Sequence, residues 1–64
     1  MRIHLVGIGG AGLSAIARIL KERGYEVSGS DRAPSPLLEE LAREGIEIFV
    51  GHREENVRGA GMVL

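Results

Sequence analysis

Residues 2–17 read RIHLVGIGGAGLSAIA, and the change of pattern inside this run decides the fold. From Arg2 to Val6 the side chains run as a strand, with Ile3 and Leu5 on one face and Arg2 and His4 on the other. A glycine cluster then stops it. Gly7-Ile8-Gly9-Gly10-Ala11-Gly12 fits GxGxxG, and from Gly10 or Ala11 to Arg23 the residues Leu13, Ile16, Ala17 and Leu20 recur at helical spacing. A strand feeding a glycine turn that opens a helix is the context in which this pattern holds a diphosphate. In that mechanism Gly7 permits the sharp turn, Gly9 lets a phosphate approach the main chain, and Gly12 lets the helix pack close to the sheet. The unpaired N–H groups of the first helical turn face the anion, and the helix dipole adds about 0.3–1 kcal/mol. No lysine lies in the loop, and GxxxxGK[ST] is absent, which argues against a phosphoryl-transferring P-loop in this segment.

Working outward, Gly24 ends the helix, and Tyr25 to Gly29 alternates as a second strand. Ser30 to Pro34 reads as a polar connection. Ser35 is a good N-cap with Pro36 at the first helical position, and Leu37, Leu38, Leu41 and Ala42 form the buried stripe of a second helix ended by Gly45. Ile46–Val50 is a third strand. Gly51–Gly59 is a polar loop with one helical turn at 54–57, and Met62-Val63-Leu64 begins a fourth strand.

That order predicts a Rossmann-like α/β fold. Two right-handed crossovers place both helices on one face of a parallel sheet, in strand order 3-2-1-4. Ile3, Leu5, Val27, Ile46, Ile48 and Val50 are expected toward the helices, and Arg2, His4, Glu26, Ser28 and Glu47 on the opposite face. Parallel sheets are normally covered on both faces. Here the second face is polar and has no helix to cover it, and the fourth strand is shorter than the usual ~5–6 residues. The expectation is a piece of a longer protein, truncated at its fourth strand.

Asp31 closes the second strand 19 positions after Gly12, beside the crevice where ligands of such sheets bind. A carboxylate there can accept hydrogen bonds from ribose hydroxyls or a base N–H. His52 and Asn56 lie at the same edge, after the third strand, and spacing alone makes them surface residues. His4 is expected to be hydrogen-bonded or partly exposed. The loop and Asp31 by themselves also suit the adenosine ribose and pyrophosphate of an NAD-dependent oxidoreductase.

Composition narrows the partners. Sixty-four residues make one small domain at the lower limit for independent folding. With eight basic and nine acidic residues, only Tyr25 and Phe49 as aromatics, and no basic stripe, a nucleic-acid partner is not expected. No cysteine is present, and the two histidines lack ligand-like spacing, so no metal site is expected. The longest charge-free run, Ile3 to Ala17, is interrupted by His4, Ser14 and four glycines and is neither a membrane span nor a signal peptide. A cytoplasmic location is the expectation.

The stretch from Ile3 to Ala17, with its doubled Gly9-Gly10 followed by Ala11-Gly12 and Ser14, resembles the start of the Mur ligases of peptidoglycan synthesis. Within that family it is similar to the branch that joins L-alanine to UDP-N-acetylmuramate. Gly24-Tyr25-Glu26-Val27-Ser28-Gly29-Ser30-Asp31 and Gly51-His52 with Glu55-Asn56 extend the likeness along the chain. Leu13 departs from the family's common methionine while filling similar apolar volume. The resemblance implies a three-domain enzyme: an N-terminal domain holding UDP-N-acetylmuramate, a central domain using ATP and magnesium, and a C-terminal domain helping to bind the amino acid. ATP phosphorylates the muramoyl carboxylate in that chemistry, and the amine of L-alanine displaces phosphate. By position, the resemblance implies that Gly9, Gly10, Ala11, Gly12 and Leu13 face the diphosphate. It likewise sets Asp31 against the uridine, with His52 and Asn56 as further uridine-side contacts. Residues 1–64 would form part of the N-terminal domain and hold no catalytic residue, so inactivity is expected of them alone. Self-association through the uncovered sheet face or open edge is a further expectation.

Overall fold

The computed structural model describes all 64 residues. Strands β1 (Arg2–Val6), β2 (Glu26–Asp31), β3 (Glu47–Val50) and β4 (Met62–Val63) form one parallel sheet in the order β3-β2-β1-β4. Helix α1 (Ala11–Glu22) joins β1 to β2, and α2 (Pro36–Arg43) joins β2 to β3. Ser35 caps α2 as its sequence indicates, its hydroxyl accepting from the Leu38 amide at 3.2 Å.

Register sorts the side chains. Ile3 pairs with Val27 and Leu5 with Gly29, so these share the face that meets the helices. Ile3, Leu5, Val27 and Ile46 bury there with Ala17 of α1 and Leu38 and Leu41 of α2. At the rim of this layer, Arg18 of α1 grips Glu44 just past α2 through Nε and Nη2, both at 2.9 Å. The pairing holds the exposed Glu44 carboxyl below its usual range.

Four expectations are corrected. Ser30, expected in the connection, belongs to β2, which runs on to Asp31 as the placing of that residue at the strand's end implies, because Ser30 pairs with Val6 and Phe49 and Asp31 with Val50. Ile16, expected in the buried stripe, is 42 % exposed. At 100° per residue it lies on the flank of α1 opposite Arg18, away from the side that meets Glu44. Val50 shares the helix-side face but, as the last residue of an edge strand, remains exposed. The polar face, finally, is not bare.

The loop after β3 folds back over it through a 3₁₀ turn, Glu54–Asn56. Arg2 pins the loop from below, donating to the carbonyls of Arg58 at 2.8 Å and Asn56 at 3.4 Å. Beneath this cover His4 and Ser28 are completely buried and Ser30 nearly so. A helix is unnecessary because the layer is polar. Its groups satisfy one another by hydrogen bonding, and no buried side-chain donor or acceptor is left without a partner.

Candidate functional site

The glycine loop rises from β1 at the carboxyl edge of the sheet. Its shape follows from where each amide goes. Gly7 and Ile8 both donate to the carbonyl of Ser30, at 2.8 and 3.1 Å. Gly10 donates back to Gly7 at 3.0 Å, closing a tight turn in which Gly7 has φ +81°, a region that favours glycine. Between them Ile8 turns inward and is fully buried, packed against Gly29 so closely that a β-carbon at position 29 would collide with it. Gly29 thus makes room in β2 for a side chain from the loop.

Gly9 donates its amide to Asp31 Oδ2 at 2.7 Å, while Asp31 Oδ1 accepts from the Arg32 amide at 2.8 Å. A β-carbon on Gly9 would run into that carboxylate. The absence of a side chain at position 9 therefore admits the protein's own anion, whatever else approaches. Gly12, expected to allow close packing on the sheet, has nothing within 4 Å of the place a β-carbon would occupy. It faces open space at the mouth of the loop.

Of the five residues expected at the diphosphate, two have committed their amides, Gly9 to Asp31 and Gly10 to Gly7. Ala11, Gly12 and Leu13 have not. They are the first three residues of α1, whose N-cap Gly10 offers no side-chain acceptor and whose first turn contains no acid. The next amide, Ser14, already returns to Gly10 at 2.9 Å. Three adjacent donors thus point out of a helix N-terminus beside exposed, small residues, which is an arrangement suited to an anion.

Asp31 is half-buried at the rim of this mouth. Each of its oxygens already accepts one backbone N–H, and an ionised carboxylate has capacity for more. His52 is exposed, with Nδ1 at 3.1 Å from Ser30 Oγ. Asn56, expected at the surface, is instead buried beneath the loop and donates its side-chain amide to the Gly51 carbonyl at 2.8 Å. His52 and Asp31 both stand at the carboxyl edge, whereas Asn56 braces the loop that carries His52. The buried His4 lies between Ser28 and Ser30, and its pKa is lowered by burial and then by the nearby Arg2 charge.

The concave surfaces lie elsewhere. One is a charged hollow among Arg18, Lys21, Glu22 and Glu44, and the other lies against β3 and the following loop, from Ile48 to Asn56. The helix mouth is an open rim, and its claim rests on donors rather than on depth. No group of three or more His, Asp or Glu side chains is gathered to hold a metal ion. No helix is long and apolar enough to cross a membrane.

The sequence pattern located the loop and Asp31. It missed the bond between them, and it missed Ile8, Gly29, Ser28 and Ser30, which hold the loop and the polar layer. Two small residues flanking a glycine in β2 were the available signal.

Residues 2–64 match the family model described as Mur ligase family, catalytic domain. Among solved structures, UDP-N-acetylmuramate-alanine ligase MurC from Thermotoga maritima is similar, with 40 % sequence identity and a TM-score of 0.91. The match covers 98 % of this chain and 15 % of that one, so the chain spans a small part of the length of that enzyme.

Proposed function

The chain belongs to the Mur ligase family, and from that premise we propose that it is the UDP-binding part of a ligase that joins L-alanine to UDP-N-acetylmuramate in peptidoglycan synthesis. The observation that carries the reading is the set of three uncommitted amides at Ala11, Gly12 and Leu13. They would receive the diphosphate. Asp31 then lies where uridine hydroxyls or a base N–H would donate to its remaining lone pairs, and His52 offers a second polar contact at the same edge. The similarity to the alanine-adding ligase supports this choice of nucleotide over NAD, which the loop alone would also accept.

The ATP and magnesium implied by the family's chemistry find no fitting residues in this chain. The loop has no lysine, no carboxylate cluster is gathered for a metal, and the first turn of α1 has no acid. No phosphoryl step is assigned here, and the proposal is binding without turnover. A mixture with ATP, L-alanine and UDP-N-acetylmuramate is expected to release no phosphate, and sustained release would overturn this.

Titration followed by amide NMR tests the ligand. UDP-N-acetylmuramate is expected to bind more tightly than NAD and to shift Ala11, Gly12 and Leu13 most. Tighter binding of NAD, or shifts confined to other segments, would sink the assignment.

A further inference from the structure

Five polar side chains form an unbroken row across the face of the sheet away from the helices. Arg2 Nη1 lies 2.8 Å from Ser28 Oγ, which lies 2.8 Å from His4 Nδ1. His4 Nε2 lies 3.2 Å from Ser30 Oγ, which lies 3.1 Å from His52 Nδ1. The middle three are sealed from solvent, and the Phe49 ring sits 6.2 Å from that of His4. The row begins under the loop and ends at the carboxyl edge, where His52 is exposed.

The direction of the protons follows from the first member. A guanidinium can only donate, so Ser28 Oγ accepts from Arg2. The one hydrogen of Ser28 then has a single partner, His4 Nδ1. With Nδ1 accepting, the neutral His4 ring carries its proton on Nε2 and donates to Ser30. Ser30 has one hydrogen left, and its remaining partner is His52 Nδ1. Reversing any link would aim two donors at one buried hydroxyl and leave that hydroxyl's own hydrogen without an acceptor, which burial penalises. The lowered pKa of His4 agrees with a ring kept neutral.

We propose that Arg2, Ser28, His4 and Ser30 are positioning residues, a one-way hydrogen-bond chain that holds His52 with Nδ1 as acceptor and presents its Nε2–H to an acceptor oxygen of the nucleotide. The ligand half rests on the UDP-binding reading, while the proton order does not. Arg2 and His4 thus act on a group at the ligand edge without touching the ligand.

Long-range ¹⁵N–¹H spectra of the histidine side chains test the order directly. Both rings are expected as the Nε2–H tautomer at neutral pH, with each Nδ1 shifted as a hydrogen-bonded acceptor. In Ser30→Ala, His52 Nδ1 is expected to move to the position of an unbonded nitrogen. His4 as the Nδ1–H tautomer, or a His52 spectrum indifferent to Ser30→Ala, would overturn the proposal. Affinity for UDP-N-acetylmuramate tests the consequence: Ser30→Ala is expected to weaken binding about two- to tenfold, the worth of one hydrogen bond. In a His52→Ala background the same change should cost almost nothing, and an equal loss in both backgrounds would refute action through His52. Should the spectra behave as stated while neither protein binds the nucleotide, the UDP reading fails and the proton order stands.

Discussion

Gly9 and Asp31 are tied together more closely than the sequence motif indicates. The motif assigns the missing side chain at position 9 to an incoming phosphate, yet the structure puts Asp31 Oδ2 in the way of any β-carbon there. Gly9→Ala is therefore expected to destabilise the fold by about 1–3 kcal/mol, the usual range for forced overpacking. Asp31→Ala should suppress much of that loss, because the next neighbour, Leu38 Cδ2, is at an ordinary 3.6 Å. Urea unfolding of the two single variants and the double variant measures the coupling, and strict additivity would refute it. His4 makes a second residue-level prediction. Its native pKa is below the ordinary 6.5, so an unfolded chain binds a proton that the folded one refuses. Stability should hold above that value and fall as pH drops below it, by up to ~1.4 kcal/mol per unit, levelling at the native pKa. His4→Gln should remove this component from a series of unfolding curves between pH 7 and 5. Sequence alternation put His4 on the polar face correctly but could not reveal its burial, since that depends on a loop some fifty positions away.

At the scale of elements, α1 and α2 begin in opposite ways. Ser35 closes the start of α2 with its own hydroxyl, whereas α1 starts on Gly10 with no side-chain acceptor. A helix start left open has lost roughly 1 kcal/mol that a capping side chain would supply. Ala11→Asp should reclaim some tenths of this through the dipole, raising the melting temperature while weakening nucleotide binding by charge repulsion. A calorimetric scan with a parallel titration checks both, and a gain in affinity would contradict the role of this turn. Most of this level was legible in the sequence. Glycine punctuation, the Ser35-Pro36 pair and the periodic leucines placed both helices and the strand order, because local preference and tertiary packing agree there. The extent of β2 was only half legible, since the sequence sets Asp31 at the strand's end while Ser30 reads as connection. Ser30 and Asp31 have turn-like chemistry, and they extend only because β1 and β3 flank them.

For the whole molecule, the apolar surface is unevenly spent. Met62, Val63 and Leu64 are each nearly half exposed at the open edge of β4, and Ile16 and Ile19 are similarly bare on α1. An unpaired strand edge with apolar neighbours favours association. Sedimentation is expected to show weight-average mass rising with concentration, with Val63→Lys shifting it back, and a strict monomer at high concentration would refute this. The anchoring of Ile8 has a different outcome, one of timing. Its side chain is wedged against Gly29, and its amide shares the Ser30 carbonyl with that of Gly7, so the mouth of α1 is moored to β2 before any visitor arrives. A receptor already in shape has no rearrangement to wait for. Stopped-flow mixing should give an observed rate that climbs linearly with nucleotide and never saturates, and a plateau would reveal a slow gate where the fold has none.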